Sequence, residues 1–121
     1  MLRVVLIAFL VAACQSSTEN LLGDWKVETS HYSATYRIAQ EEASVKARLL
    51  FSKDGTSSYH WEKQEPRYRF LDLKQQTKGF YVDAASGATS SATVAIKQIA
   101  KDTLVVPLAK GKKEIWTRIN Q

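Results

Sequence analysis

From Leu21 onward the chain is written in short runs of alternating apolar and polar residues, separated by turn residues. A period of two places successive side chains on opposite faces of an extended strand, so the pattern commits the chain to antiparallel sheet. The runs are Asp24–Ser30, Tyr32–Ala39, Ser44–Ser52, Thr56–Trp61, Tyr68–Lys74, Gly79–Asp83, Ala92–Ile99, Thr103–Leu108 and Lys113–Ile119. The last three are joined by "AKDT" and "AKGKK", each short enough for a hairpin. No helix-strand rhythm of the kind that builds a parallel sheet is present. The reading is an all-β antiparallel meander.

One hairpin carries enough pattern to predict its register. In "VKARLLFSKDGTSSYHW" the alternation places Val45, Ala47, Leu49 and Phe51 on one face. A two-residue Asp54-Gly55 turn would oppose Phe51 to Ser58 and turn Tyr59 and Trp61 to the wrong side. A three-residue loop of Lys53, Asp54 and Gly55 opposes Phe51 to Ser57, Leu49 to Tyr59 and Ala47 to Trp61. That register keeps the aromatic residues on the apolar face and sends His60 to solvent, so it is the one expected. Upstream, "AQEEASVKAR" has Glu42 and Lys46 at helical spacing. The alternation of Val45 to Phe51 makes its second half strand and leaves its first half a polar hairpin end.

The N-terminus belongs to a different kind of segment. "MLRVVLIAFLVAA" has one positive charge, Arg3, followed by an apolar stretch from Val4 to Ala13. That stretch is roughly half the ~20 residues needed to cross a bilayer, and reads as a secretory signal peptide over residues 1–13. Val11-Ala12-Ala13-Cys14 resembles the bacterial lipobox, in which two small residues precede a cysteine that is lipidated before cleavage. The chain has one cysteine, which cannot form an internal disulfide but can carry acyl chains. The resemblance implies a lipid anchor on Cys14. Gln15, rather than aspartate, after the cysteine implies sorting to the outer membrane, periplasm-facing, or exposure at the cell surface where no outer membrane exists. Residues 14–20, with "QSSTEN" after the cysteine, read as a polar linker whose six residues reach roughly 20 Å when extended. Residues 21–121 are then one domain.

Charge and motifs narrow the function. Removing Arg3 with the leader takes the formal charge from +5 to +4, spread along the chain except for Lys110 to Lys113. That is a solvated surface with no nucleic-acid motif, so a nucleic-acid partner is not expected. Enzyme signatures are absent: no Gly-x-Ser-x-Gly, phosphate loop, His-Glu-x-x-His or cysteine pair occurs. His31 and His60 are far apart, metal binding needs three or four convergent ligands, and Glu41-Glu42 reads as a charged hairpin end. Neither catalysis nor a metal or other cofactor is expected.

"LLGDWKVE", "LLFSKDGTSSYHW" and "IKQIAKDTLVVPLAKGKKEIWTRIN", in this order, resemble the opening, central hairpin and closing strands of lipocalin-like domains. The resemblance implies a meander closing into a small β-barrel of about eight strands, wide enough for one small ligand and without unpaired edges. It also implies that Gly23 and Trp25 form the family's Gly-x-Trp, with Trp25 sealing the closed end and Arg118 packed across its ring. Alternation in "KEIWTRI" leaves open whether Trp116 and Arg118 or Ile115 and Thr117 point inward.

The interior positions offered by the pattern are Tyr36, Ile38, Leu49, Tyr59, Trp61, Phe70, Phe80, Val82, Ile96, Leu104 and Val106. Two readings follow. In one, Tyr36, Leu49, Tyr59, Trp61, Phe70 and Phe80 line a cavity for a small lipophile, with tyrosine hydroxyls as polar fixtures. In the other they fill a solid core, and the protein acts in the envelope through its surface. Ligand binding is the leading expectation.

Overall fold

Among the described residues ten strands form: β1 (Gly23–Glu28), β2 (Tyr32–Glu41), β3 (Ser44–Asp54), β4 (Ser57–His60), β5 (Tyr68–Phe70), β6 (Leu73–Thr77), β7 (Phe80–Asp83), β8 (Ile96–Ala100), β9 (Thr103–Pro107) and β10 (Lys113–Arg118). The computed structural model describes residues 18–85 and 95–119. Residues 1–17, which hold the expected leader and Cys14, lie outside the described residues, as does most of "AASGATSSAT". All pairings are antiparallel, in the order β4-β3-β2-β1-β10-β9-β8-β7-β6, with β5 also on β3. The all-β meander expected from the alternation is what forms.

Closure is corrected. The sheet curls into a half-barrel that stays open, with ten strands rather than about eight. Its two ends are β4 and β5 on one side and β6 on the other, and among the described residues no ladder joins them. β5 and β6 are nevertheless successive pieces of the chain, two residues apart. Phe70 still pairs with Ala47 of β3, while Leu73 already pairs with Asp83 of β7. The corner between them is held by the Asp83 carboxylate, which accepts from the Leu71 and Asp72 amides at 3.1 and 3.0 Å. The expected strand Tyr68–Lys74 is thereby split, because its two halves serve opposite ends of the sheet.

A bulge in β3 overturns the expected hairpin register. Tyr36 opposes Leu49 and Thr35 opposes Phe51, so Leu50 is an extra residue. An inserted residue reverses which face the following positions take. Val45, Ala47 and Leu49 point inward before it and are buried; after it Phe51 points outward, in edge contact with His60 at 4.8 Å. Asp54 then pairs with Ser57 around a Gly55-Thr56 turn, Ser52 opposes Tyr59 and Phe51 opposes His60. Gly55 has φ 63°, the left-handed conformation that the first position of a tight hairpin turn requires. Tyr59 is buried as expected, by a route that straight alternation does not contain.

Residues 39–48 form the β2–β3 hairpin, with Glu42 at φ 56° in the turn and Lys46 3.5 Å from its carboxylate. On β7 the expected face is reversed. Tyr81, opposite Ile96, is the inward residue, so Phe80 and Val82 turn outward and Lys97 lies over the Phe80 ring at 5.6 Å. Glu19–Leu21 is a 3₁₀ turn that inserts Leu21, at 0% exposure, into the core.

The antiparallel order collects the turns at two ends. The 3₁₀ turn Glu19–Leu21 and the β2–β3, β6–β7 and β8–β9 turns lie at one end, termed closed. The β1–β2, β3–β4 and β9–β10 connections lie at the other, termed open. The core between them is one cluster, with Trp25, Val27, Ala47 and Trp116 fully buried.

Candidate functional site

β10 presents Glu114, Trp116 and Arg118 inward, while Ile115 is 42% exposed on the outside. This settles the alternative that its alternation left open, and it divides the interior into two sites, one at each end.

At the closed end the Arg118 guanidinium lies 4.3 Å from the Trp25 ring centroid. Register explains the meeting, because Trp25 and Arg118 are direct partners across β1 and β10. Arg118 donates to the carbonyls of Leu22 at 2.5 Å, Asn20 at 2.6 Å and Lys101 at 3.1 Å, and its Nε to Asp102 at 2.9 Å. The Trp25 indole donates to the Leu21 carbonyl at 2.8 Å. Gly23 has φ 130°, and a Cβ there would stand 3.0 Å from Arg118 Nη1. The glycine is required both by the backbone and by the arginine packed over it.

At the open end Glu114 is a carboxylate inside the apolar interior, 5% exposed. Such a group is tolerated where its oxygens are hydrogen-bonded. The Tyr32 hydroxyl donates to one oxygen and the Trp116 indole to the other, at 3.0 Å. Tyr36 stacks on Trp116 with centroids 4.4 Å apart and planes 5° from parallel, and Phe70 leans on the same indole at 5.7 Å. Burial, then the hydrogen bond to Glu114 and its charge, push the Tyr32 phenol up to about 12. Tyr36 is raised by burial and by Glu114, and Arg69 opposes the shift at both phenols. Both phenols therefore stay neutral donors at ordinary pH. The group can accept hydrogen bonds at a carboxylate and donate them from two phenols, against a flat aromatic surface.

Of the six residues expected to line a cavity, Leu49, Tyr59 and Phe70 are in the buried cluster and Tyr36 packs against it. Two are corrected. Trp61 lies past the end of β4, 39% exposed, with the Arg48 guanidinium 5.3 Å from its ring, because the bulge displaced the register that would have turned it inward. Phe80 is outside for the reason given for β7. Sequence reasoning missed Glu114, Tyr32 and Arg69. The signal for Glu114 was present: if Arg118 meets Trp25, a period of two places Trp116 and Glu114 inside as well.

Two open clefts border the closed end. One, about 630 Å³, is lined by Glu19, Asn20, Lys78, Gly79, Ile99 and Lys101 among others. The second, about 360 Å³, runs from Thr18 past Gln40 and Val45 to Leu73. Neither is bordered by any of the six expected cavity residues. Among the described residues no group of three His, Cys, Asp or Glu side chains could hold a metal ion.

Comparison with protein-family models, with curated proteins and with solved structures found no match to this chain.

Proposed function

We propose that this chain is an exported lipoprotein, anchored through Cys14 to the outer membrane, whose lipocalin-like half-barrel binds a small ligand with an apolar body and a polar head. It binds rather than catalyses. The observation that carries this reading is the open-end group of Tyr32, Glu114 and Trp116, polar atoms set above an aromatic stack in an otherwise apolar interior. Sites for small amphiphiles have this composition, mostly apolar walls with a few convergent polar atoms. The half-buried rings of Tyr32 and Tyr36 and the unclosed side of the sheet supply access. Support for the lipocalin likeness comes from Gly23, Trp25 and Arg118, which meet as that family's closed end requires.

Displacement of a fluorescent long-chain amine probe, whose head can donate to the Glu114 carboxylate, with native mass spectrometry of the gently purified mature protein, tests the reading. Probe uptake in the wild type that falls about tenfold in Glu114→Gln supports it, since a hydrogen bond to a charged group is worth roughly 1.5–3 kcal/mol. A second reading has its own observation. Leu21, Trp25, Val27 and Trp116 at 0% exposure describe a filled core, which suits an envelope interaction module without a small ligand. No probe uptake and no co-purifying lipid select that reading.

A further inference from the structure

We propose that the closed end is a membrane-docking face, in which Lys78 and Lys101 meet lipid phosphates and Leu22 and Ile99 enter the headgroup layer. This rests on Cys14 carrying acyl chains.

The argument begins with reach. Cys14 stands four residues before Thr18, and four extended residues span about 14 Å. Thr18 is fixed to the closed end, because its carbonyl accepts from the Leu21 amide at 3.0 Å and Leu21 is a core residue. An acylated Cys14 thus holds this end of the half-barrel within about 14 Å of the bilayer, so it is the end first offered to the lipid.

The chemistry of the face fits that position. Ile99 is 54% exposed and Leu22 37%, two of the few large apolar side chains left in solvent. Ile99 follows the inward Ile96 and Gln98 on the outer face and is the extra residue of a bulge: Gln98 opposes Leu104 and Ala100 opposes Thr103, leaving Ile99 unpaired in the ladder. Lys78 and Lys101, in the neighbouring β6–β7 and β8–β9 turns, line the same cleft as Ile99 and are exposed. Among the described residues neither ammonium has an ion-pair partner, whereas the acids nearby are mostly engaged. Asp102 is held by Arg118, Glu42 by Lys46, and Glu41 by the Tyr68 hydroxyl; Glu19 remains as the one counter-charge in the cleft. Apolar side chains flanked by lysines are the composition of surfaces that lie in the lipid interface.

The test uses the mature lipidated protein in vesicles containing phosphatidylglycerol and brominated lipid. With the only native cysteine acylated, a single cysteine introduced by Ile99→Cys, or at the open end by Thr56→Cys, takes an environment-sensitive label. The expected result is at least about twofold more quenching at position 99 than at 56, with the excess reduced by Lys78→Glu and Lys101→Glu together. Equal quenching at both positions in protein that floats with the vesicles overturns the docking face and leaves the anchor standing. Protein that does not float with the vesicles overturns the anchor, and the docking face with it.

Discussion

The two ends of the interior each set one charged side chain from β10 beside a tryptophan, and they solve the problem differently. Arg118 at the closed end is satisfied largely by main-chain carbonyls from two segments, the 3₁₀ turn and its exit on one side and the β8–β9 turn on the other. Glu114 at the open end is satisfied by side chains alone, the Tyr32 phenol and the Trp116 indole. Carbonyls of a folded backbone cannot move aside without undoing the fold, whereas a phenol on a half-buried ring can rotate. The first arrangement ties segments together; the second offers polar atoms that an incoming molecule can replace.

The contrast breaks most visibly at Trp25. Trp25→Ala empties the space under Arg118 and is expected to destabilise the protein by about 3–5 kcal/mol in urea unfolding, as large aromatic truncations in cores do. A loss near zero would mean that the closed end is not the structural one. Glu114→Gln keeps shape and acceptor but loses the charge, and is expected to cost about 1–2 kcal/mol, well below Trp25→Ala. If the two costs come out alike, both ends are structural and the ligand reading weakens.

The smallest effect is a pH dependence. Tyr32 binds its proton more tightly folded than unfolded, so the stability it contributes is complete below pH 10 and is lost as pH rises from 10 through about 12. Thermal midpoints of Tyr32→Phe should fall less steeply over that range than those of the wild type. A residual slope should persist, because Tyr36, Tyr68 and Tyr81 are raised in the same direction. Identical slopes would show that the Tyr32–Glu114 contact does not distinguish folded from unfolded protein.

The strands were legible because alternation is a local property. Val45, Ala47 and Leu49, or Leu104 and Val106, announce their burial from their own spacing. What was not legible depends on single inserted residues. Leu50 and Ile99 each shift the face of what surrounds them, and nothing in the letters L-L-F or Q-I-A marks the insertion. Tyr81 lies between two apolar neighbours, so its inward direction is fixed only by its partner Ile96. Closure was illegible for another reason: whether the ends of a sheet meet depends on the curl of all its strands together. Of the two interior sites, the closed end could be approached through Gly23, Trp25 and Arg118. The open end required one more step along β10, from Arg118 back to Glu114.

A sheet that stops short of a full circle leaves edges able to recruit a neighbour, and among the described residues these are β4 and β5 at one end and β6 at the other. Here those strands are poor recruiters. One end is the four-residue β4, whose two leading serines are exposed, with the three-residue β5 beside it; the other is β6, whose Lys74, Gln75, Gln76 and Thr77 are all exposed. Stacking a second copy against either would desolvate charge and amide groups for a few main-chain bonds, so lateral self-assembly into fibres gains little from this opening.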